Sequence, residues 1–314
     1  MMITVSLDGN GDFQSIQAAI NALEKNKPMT ILIKPGTYYE KLHLEHSNLM
    51  IIGENPKTTI ITFDDYAKKR LSDQTLTQTF RSYTAFIRGN NLTFENITFK
   101  NTAGSGKEVG QAIAAYIDGD CLHFKNCHFI AHQDTLFTAP LPPSPVIPGS
   151  FVGPGEHLPR TVGRHYYEEC YIQGDIDFIF GSATAYFEEC TIFSNASDGA
   201  SYITAASTPA NEAYGYVFHN CNLVSNAKKQ SVFLGRPWRK FAHVVFLNCY
   251  LGDHIHPFGW DDWSKEHATL QFYEFQNIGP GADFSKRVDF CKLLSKDEAR
   301  LYDKGNVFRD WKPY

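Results

Sequence analysis

The hydrophobic positions of the chain recur as a six-residue motif rather than as one long helical or strand rhythm. The motif reads aromatic, any residue, Asn or Glu, small or apolar, any residue, apolar. Phe94-Glu95-Asn96-Ile97-Thr98-Phe99 begins the series. Phe124 to Phe129, Tyr167 to Ile172, Phe187 to Ile192, Phe218 to Leu223 and Phe246 to Leu251 continue it. The last two positions of each copy alternate as a strand does. Counted at the fourth position, the copies are 30, 43, 20, 31 and 28 residues apart. A fixed core with variable steps describes a regular coil carrying loops of different length. Short strands, no long helices and frequent Gly, Asn and Ser turns predict an all-β fold, a right-handed parallel β-helix. A leucine-rich solenoid needs a Leu spacing that is absent, and a β-sandwich does not explain the recurring Asn and Cys.

The flanks follow the same logic. Asp12 to Lys25 reads as a helix with Phe13, Ile16, Ile20 and Leu23 on one face, suited to covering the open end of a solenoid. Thr30 to Lys34 reads as a strand closed by Pro35-Gly36, Thr37 to Leu44 as a second, and Asn48 to Ile52 as a third closed by Gly53. After Leu251 the pattern decays. Asp253 to Gln276 reads as long loops plus a strand over Thr269 to Phe275. Ser295-Lys296-Asp297-Glu298 is a capping box opening a short helix that ends near Gly305. The 43-residue step holds Ala139 to Arg164, with seven prolines, which reads as a loop because proline removes ladder donors. It begins just after Asp134 and is expected to overhang the same face. One domain over residues 1–314 accounts for the whole pattern.

Composition adds bounds. The 314 residues are 43% hydrophobic and 20% charged, and the formal net charge of −5 gives no general attraction for nucleic acid or acidic membranes. No apolar run is long enough to span a bilayer. The first residues lack the basic and apolar regions of a signal peptide, so a cytoplasmic protein is expected, with a secreted one whose leader has been removed as the alternative. Five of the seven cysteines sit at the fourth motif position, Cys127, Cys170, Cys190, Cys221 and Cys249. They read as a buried stack of small apolar side chains, not as disulfides or a zinc site.

Candidate chemistry lies within the repeat. Asp134 follows Cys127 by seven residues, and Asp177 follows Cys170 by seven. In successive coils these carboxylates face the same side, about 4.8 Å apart. So close a pair does not ionise freely together, and one pKa rises. One site then holds an acid and a nucleophile. Solvated aspartates at turns, or a register moved by loop insertion, are the plainer readings. Gln133 precedes Asp134, and Gln111 stands about one coil earlier; two amides aimed at one point suit a developing oxyanion. In Leu234-Gly235-Arg236-Pro237-Trp238, Arg236 can fork onto a carboxylate and Trp238 can stack on a sugar ring or simply pack.

Together these strings resemble the pectin methylesterase (pectinesterase) family. The resemblance rests on Gly11-Asp12-Phe13, Gly36-Thr37-Tyr38-Tyr39-Glu40, Thr79-Phe80-Arg81-Ser82 and Gly110-Gln111-Ala112-Ile113-Ala114, in that order. Gln133-Asp134-Thr135-Leu136, Asp177-Phe178-Ile179-Phe180-Gly181 and the Arg236 string complete it. It implies a right-handed parallel β-helix and a metal- and cofactor-free hydrolase acting on pectin or methylated oligogalacturonides. It implies Asp177 as nucleophile, Asp134 as acid and base, Gln111 and Gln133 as oxyanion donors, and Arg236 and Trp238 as holders of nucleophile and sugar. Phe180 and Thr79 are lesser substrate contacts. A monomer is expected, with neither nucleic acid nor membrane as partner. Phe137 stands where many relatives carry Tyr, and the Ala139 to Arg164 loop is longer than in plant-type members. Both departures, with the missing signal, suggest a bacterial-type enzyme acting on short oligogalacturonides. The rivals are a glycosidase, a polysaccharide-binding protein without activity, and an esterase of another acyl group.

Overall fold

The computed structural model describes residues 2–24 and 27–313, whose strands build three parallel sheets of 11, 7 and 8 strands. Neighbours within a sheet come from successive coils, not successive strands. The seven-stranded sheet runs Val232–Pro237, Ser201–Ala206, Ile176–Gly181, Leu136–Thr138, Ala115–Asp118, Ala85–Arg88, Leu42–Glu45. This is a right-handed parallel β-helix, the hand that crossovers between parallel strands adopt.

The six-residue motif turns out to be a corner rather than a strand. Its second position ends a strand of the 11-stranded sheet, and its fifth begins one of the 8-stranded sheet, as Leu92–Glu95 passes into Thr98–Asn101. The third position is left-handed in every copy: Asn96, Asn126, Glu169, Glu189, Asn220 and Asn248 have φ between 48° and 57°. Asn tolerates that conformation best, hence its recurrence. The aromatics at the first position stack coil upon coil, from Phe94–Phe124 at 5.0 Å to Phe218–Phe246 at 4.4 Å, with ring planes within 9°. Each of the five stacked cysteines is buried, and its thiol donates to the carbonyl of the aromatic one coil back, as Cys127 does to Phe94 O at 3.4 Å. Cysteine fits here as a small apolar side chain with one weak donor for a corner carbonyl. All seven cysteines are free thiols.

The flanks differ from expectation in detail. The first helix covers Ile16–Asn21 only. Asp12 instead accepts from Thr4 N, Phe13 bridges to Val5, and Ser15 caps the helix; Lys25 lies outside the described residues. Ile16, Ala19 and Ile20 are buried in the core. The segment Thr37 to Leu44 is two strands, Gly36–Tyr39 and Leu42–Glu45, because the chain turns a corner at Glu40-Lys41. The strands expected at 30–34, 48–52 and 269–275 are Met29–Ile33, Leu49–Gly53 and Gln271–Phe275. At the C-terminus the capping box at Ser295 forms, but its helix stops at Ala299. A 3-10 turn follows, extended Asp303 interrupts, and a second helix runs Lys304–Phe308 through Gly305. Leu294, Val307 and Phe308 pack on Tyr166, Tyr186 and Val245, outside the 11-stranded sheet.

Candidate active site

The site lies on the outer face of the seven-stranded sheet. Parallel pairing in register sets Phe86, Tyr116, Phe137, Phe180, Ala205 and Arg236 side by side across six strands. The four aromatics and Ala205 form an apolar cluster with Phe80 and Phe151, and Trp238 packs against it. This cluster floors the site, and Arg236 ends the row.

The aspartates are placed by the same pairing. Leu136 pairs with Ile179, so Asp134 and Asp177, each two residues earlier, stand in adjacent coils; Asp134 N donates to Ile176 O at 3.0 Å. Both have left-handed backbones, φ 64° at Asp134 and 51° at Asp177. Asp177 also sits where the pairing of Ile176–Gly181 with Ser201–Ala206 slips between Ile176 and Ile179. Such irregularities re-aim a side chain and concentrate at functional sites.

Arg236 meets Asp177 with both arms of its fork, Nε to Oδ1 at 2.8 Å and Nη2 to Oδ2 at 2.6 Å. Its guanidinium is sandwiched between two rings, 3.9 Å from the Tyr202 centroid and 3.8 Å from that of Trp263. The aspartates therefore differ electrostatically. Burial pushes the Asp134 carboxyl well above the ordinary carboxylate range, and the charge of Asp177 adds to the rise. Burial also raises Asp177, but there the hydrogen bonds and charge of Arg236 pull against it. Of the two, Asp134 is the more strongly biased toward its neutral form, and Asp177 the one whose charge Arg236 supports.

Gln111 and Gln133 lie on adjacent coils, tied where Ala112 N donates to Gln133 O at 3.1 Å. The short helix Gly106–Val109 packs on Gln133: a Cβ at Gly106 would stand 2.5 Å from Gln133 Oε1. Thr79 opens a 3-10 turn whose carbonyl accepts from Ser82 Oγ at 2.6 Å, and Ser82 Oγ in turn accepts from Ile113 N. One cavity of about 450 Å³ is bordered by Asp134, Asp177, Gln111, Gln133, Arg236, Trp238, Phe180 and Thr79, so all eight residues expected from the sequence converge. Val146, Ile147, Ser150 and Phe151 of the proline-rich segment border it too.

Sequence reasoning missed Tyr202 and Trp263, which hold Arg236, and Gly106, which seats Gln133. Tyr202 falls outside the corner motif. Trp263 lies where the repeat has decayed, and only the contact across the fold gives it a role. Among the described residues, no group of three or more His, Cys, Asp or Glu is placed to hold a metal ion, and no helix is long and apolar enough to cross a membrane.

A β-helix presenting an Arg-held aspartate, a second aspartate biased toward its neutral form and two amides in one cleft defines a carbohydrate esterase type of site. The chain belongs to the Pectinesterase family, whose sequence model matches residues 2–141 and 151–310. It is 34% identical to Pectinesterase 31 of Arabidopsis thaliana over 95% of this chain and 89% of that one. Its fold is similar to that of pectin methylesterase PemA from Erwinia chrysanthemi, with TM-score 0.81 and 27% identity over 100% of this chain and 98% of that chain. A pectin methylesterase solved in complex with a hexasaccharide gives TM-score 0.82 and 27% identity over 99% and 98% of the two chains.

Proposed function

We propose that this protein hydrolyses the methyl esters of galacturonate residues in pectin or pectic oligosaccharides, through an acyl-enzyme on Asp177. The observation that carries the reading is the pairing of an aspartate forked by Arg236 with a neighbouring aspartate that burial and the charge of Asp177 bias toward its neutral form, in a cleft that also presents two glutamines.

The cycle balances with these groups alone. An Asp177 oxygen attacks the ester carbonyl carbon, and the carbonyl oxygen becomes an oxyanion stabilised by the Gln111 and Gln133 amides. Asp134 gives its proton to the methoxy oxygen, the carbon–oxygen bond breaks, and methanol leaves. What remains is a mixed anhydride between Asp177 and the galacturonate. Asp134, now ionised, takes a proton from water, and the resulting hydroxide attacks the galacturonyl carbon. Asp177 departs as a carboxylate, restored to its place by Arg236. Trp238 and Phe180 offer aromatic surface to the sugar, and Thr79 a hydroxyl at the edge.

Methyl-esterified pectin distinguishes this from hydrolysis of the chain. Methanol release without new reducing ends is expected; new reducing ends without methanol would mean a glycosidase, since two carboxylates about 5 Å apart also serve that chemistry. Binding without either product would leave a polysaccharide-binding protein.

The related pectinesterases lend no support to a cytoplasmic location, and a polymeric substrate, which does not cross membranes, favours the secreted alternative. The expected preference for short oligogalacturonides rests on the proline-rich segment beside the cleft; equal rates on polymer and on oligomers would refute it. The site is assembled within one chain, in keeping with a monomer.

A further inference from the structure

The strand Val232–Pro237, which carries Arg236, stands at one end of the seven-stranded sheet, yet its outer edge is covered. The segment 254–261 runs beside it, with bridges from Val232 to Ile255 and from Gly235 to Trp260. Leu234 N donates to Gly259 O at 2.7 Å, and Asp261 N donates to Gly235 O at 3.1 Å. This extra rung brings Asp261 next to Arg236 from the following coil.

From there its carboxylate reaches both residues whose rings sandwich the Arg236 guanidinium. Oδ1 accepts from Trp263 N at 2.6 Å, and Oδ2 accepts from the Tyr202 hydroxyl at 3.5 Å, the longer arm. The Trp263 arm has the more to hold. Trp263 is 37% exposed and, like Ser264 after it, has a left-handed backbone, with φ 46° and 57°. A bulky residue keeps that conformation only where its surroundings impose it. Here two carboxylates do so: Asp261 takes the Trp263 N–H, and Asp262 Oδ1 takes that of Ser264 at 2.8 Å. With the turn closed in this way, the Trp263 and Tyr202 rings stand 3.8 and 3.9 Å from the guanidinium. Arg236 then has little freedom to leave its fork with Asp177.

Building on the pectinesterase reading, we propose that Asp261 is a positioning residue of the reaction, the tether that holds Tyr202 and Trp263 against Arg236 and so keeps the fork on Asp177 aligned. It works through the two rings and not by contact with the substrate.

The test compares two neutral replacements, because the charge of Asp261 also raises the Asp177 pKa and both remove that charge alike. Asp261→Asn keeps an oxygen for Trp263 N, and Asp261→Ala keeps none. The first readout needs no substrate: exchange of the Arg236 Nε–H with solvent, followed by NMR. Asp261→Ala is expected to exchange about tenfold faster than Asp261→Asn, which preserves the tether. The second readout is methanol release from a methyl-esterified oligogalacturonide, where kcat of Asp261→Ala is expected about tenfold below that of Asp261→Asn. In a Trp263→Ala background that difference is expected to shrink to less than about threefold, since the shorter arm has no ring left to hold. Equal exchange rates in the two variants overturn the tether, and equal kcat values overturn its part in the reaction. A difference that survives undiminished without Trp263 overturns the route through that ring. Absence of methanol from the wild type, with the exchange difference intact, would instead defeat the pectinesterase reading and leave the tether standing.

Discussion

Replacing Arg236 by Gln removes the cation that forks onto Asp177. The fork is bidentate at 2.8 and 2.6 Å, and the side chains are only 17% and 10% exposed, so solvent screens the pair little. Breaking one partner of such a pair costs about 3–5 kcal/mol, because the remaining charge is left buried and unpaired. Asp177 escapes part of that cost by taking up a proton, which removes the nucleophile. At about 1.36 kcal/mol per decade, methanol release at neutral pH should fall between about 10² and 10⁴-fold. The sign of the pH effect follows from the same balance. Burial raises the Asp177 pKa and Arg236 opposes the rise, so without the guanidinium the acidic limb of the rate profile moves to higher pH. Arg236→Lys keeps the charge but not the fork and should fall between the two. Trp263→Ala leaves the fork but frees one face of the guanidinium, now 3.8 Å from that ring, and should loosen it by about 0.5–2 kcal/mol. The assay is methanol release against pH on a methyl-esterified oligogalacturonide. An Arg236→Gln variant with an unmoved acidic limb and kcat within threefold of wild type would refute the reasoning.

The remaining expectations follow from the same geometry. Gln133→Ala should lower kcat by about 10² to 10³-fold while leaving KM nearly unchanged, since an oxyanion donor acts only in the transition state; steady-state kinetics decide. Asp134→Asn should abolish turnover yet raise thermal stability. The folded-state pKa of Asp134 lies well above its unfolded value, so the stability of the protonated form is complete below the ordinary carboxylate pKa and is lost as pH rises through the folded value. The Tm gain of the variant should therefore grow with pH, and calorimetry at acid and neutral pH checks it.

How much of this was readable beforehand depends on what each residue does. The repeat located the coil because stacking forces the same side chain to recur at every level, as the ring column from Phe94 to Phe246 shows. It did not reveal that the motif is a corner, although the Asn or Glu recurring at its third position, as at Asn96 and Glu169, is the trace of the left-handed backbone there. The aspartates were legible because register converts their equal spacing into adjacency, whereas Gln111, Gln133 and Arg236 were read from their strings and the family resemblance. Trp263 was not, because it reaches Arg236 from a segment outside the repeat. Nor was the break at Asp303, where one residue's extended backbone divides a helix that local capping signals had begun.

The nucleophile is tested most directly by Asp177→Asn. Asn matches the shape of Asp177 and tolerates its φ of 51°, so the fold and the contacts of the coil should survive. Methanol release from methyl-esterified oligogalacturonide should fall by at least about 10³-fold, with KM little changed, because the amide cannot form the anhydride. A folded Asp177→Asn protein that releases methanol within tenfold of the wild-type rate would contradict covalent catalysis at this position.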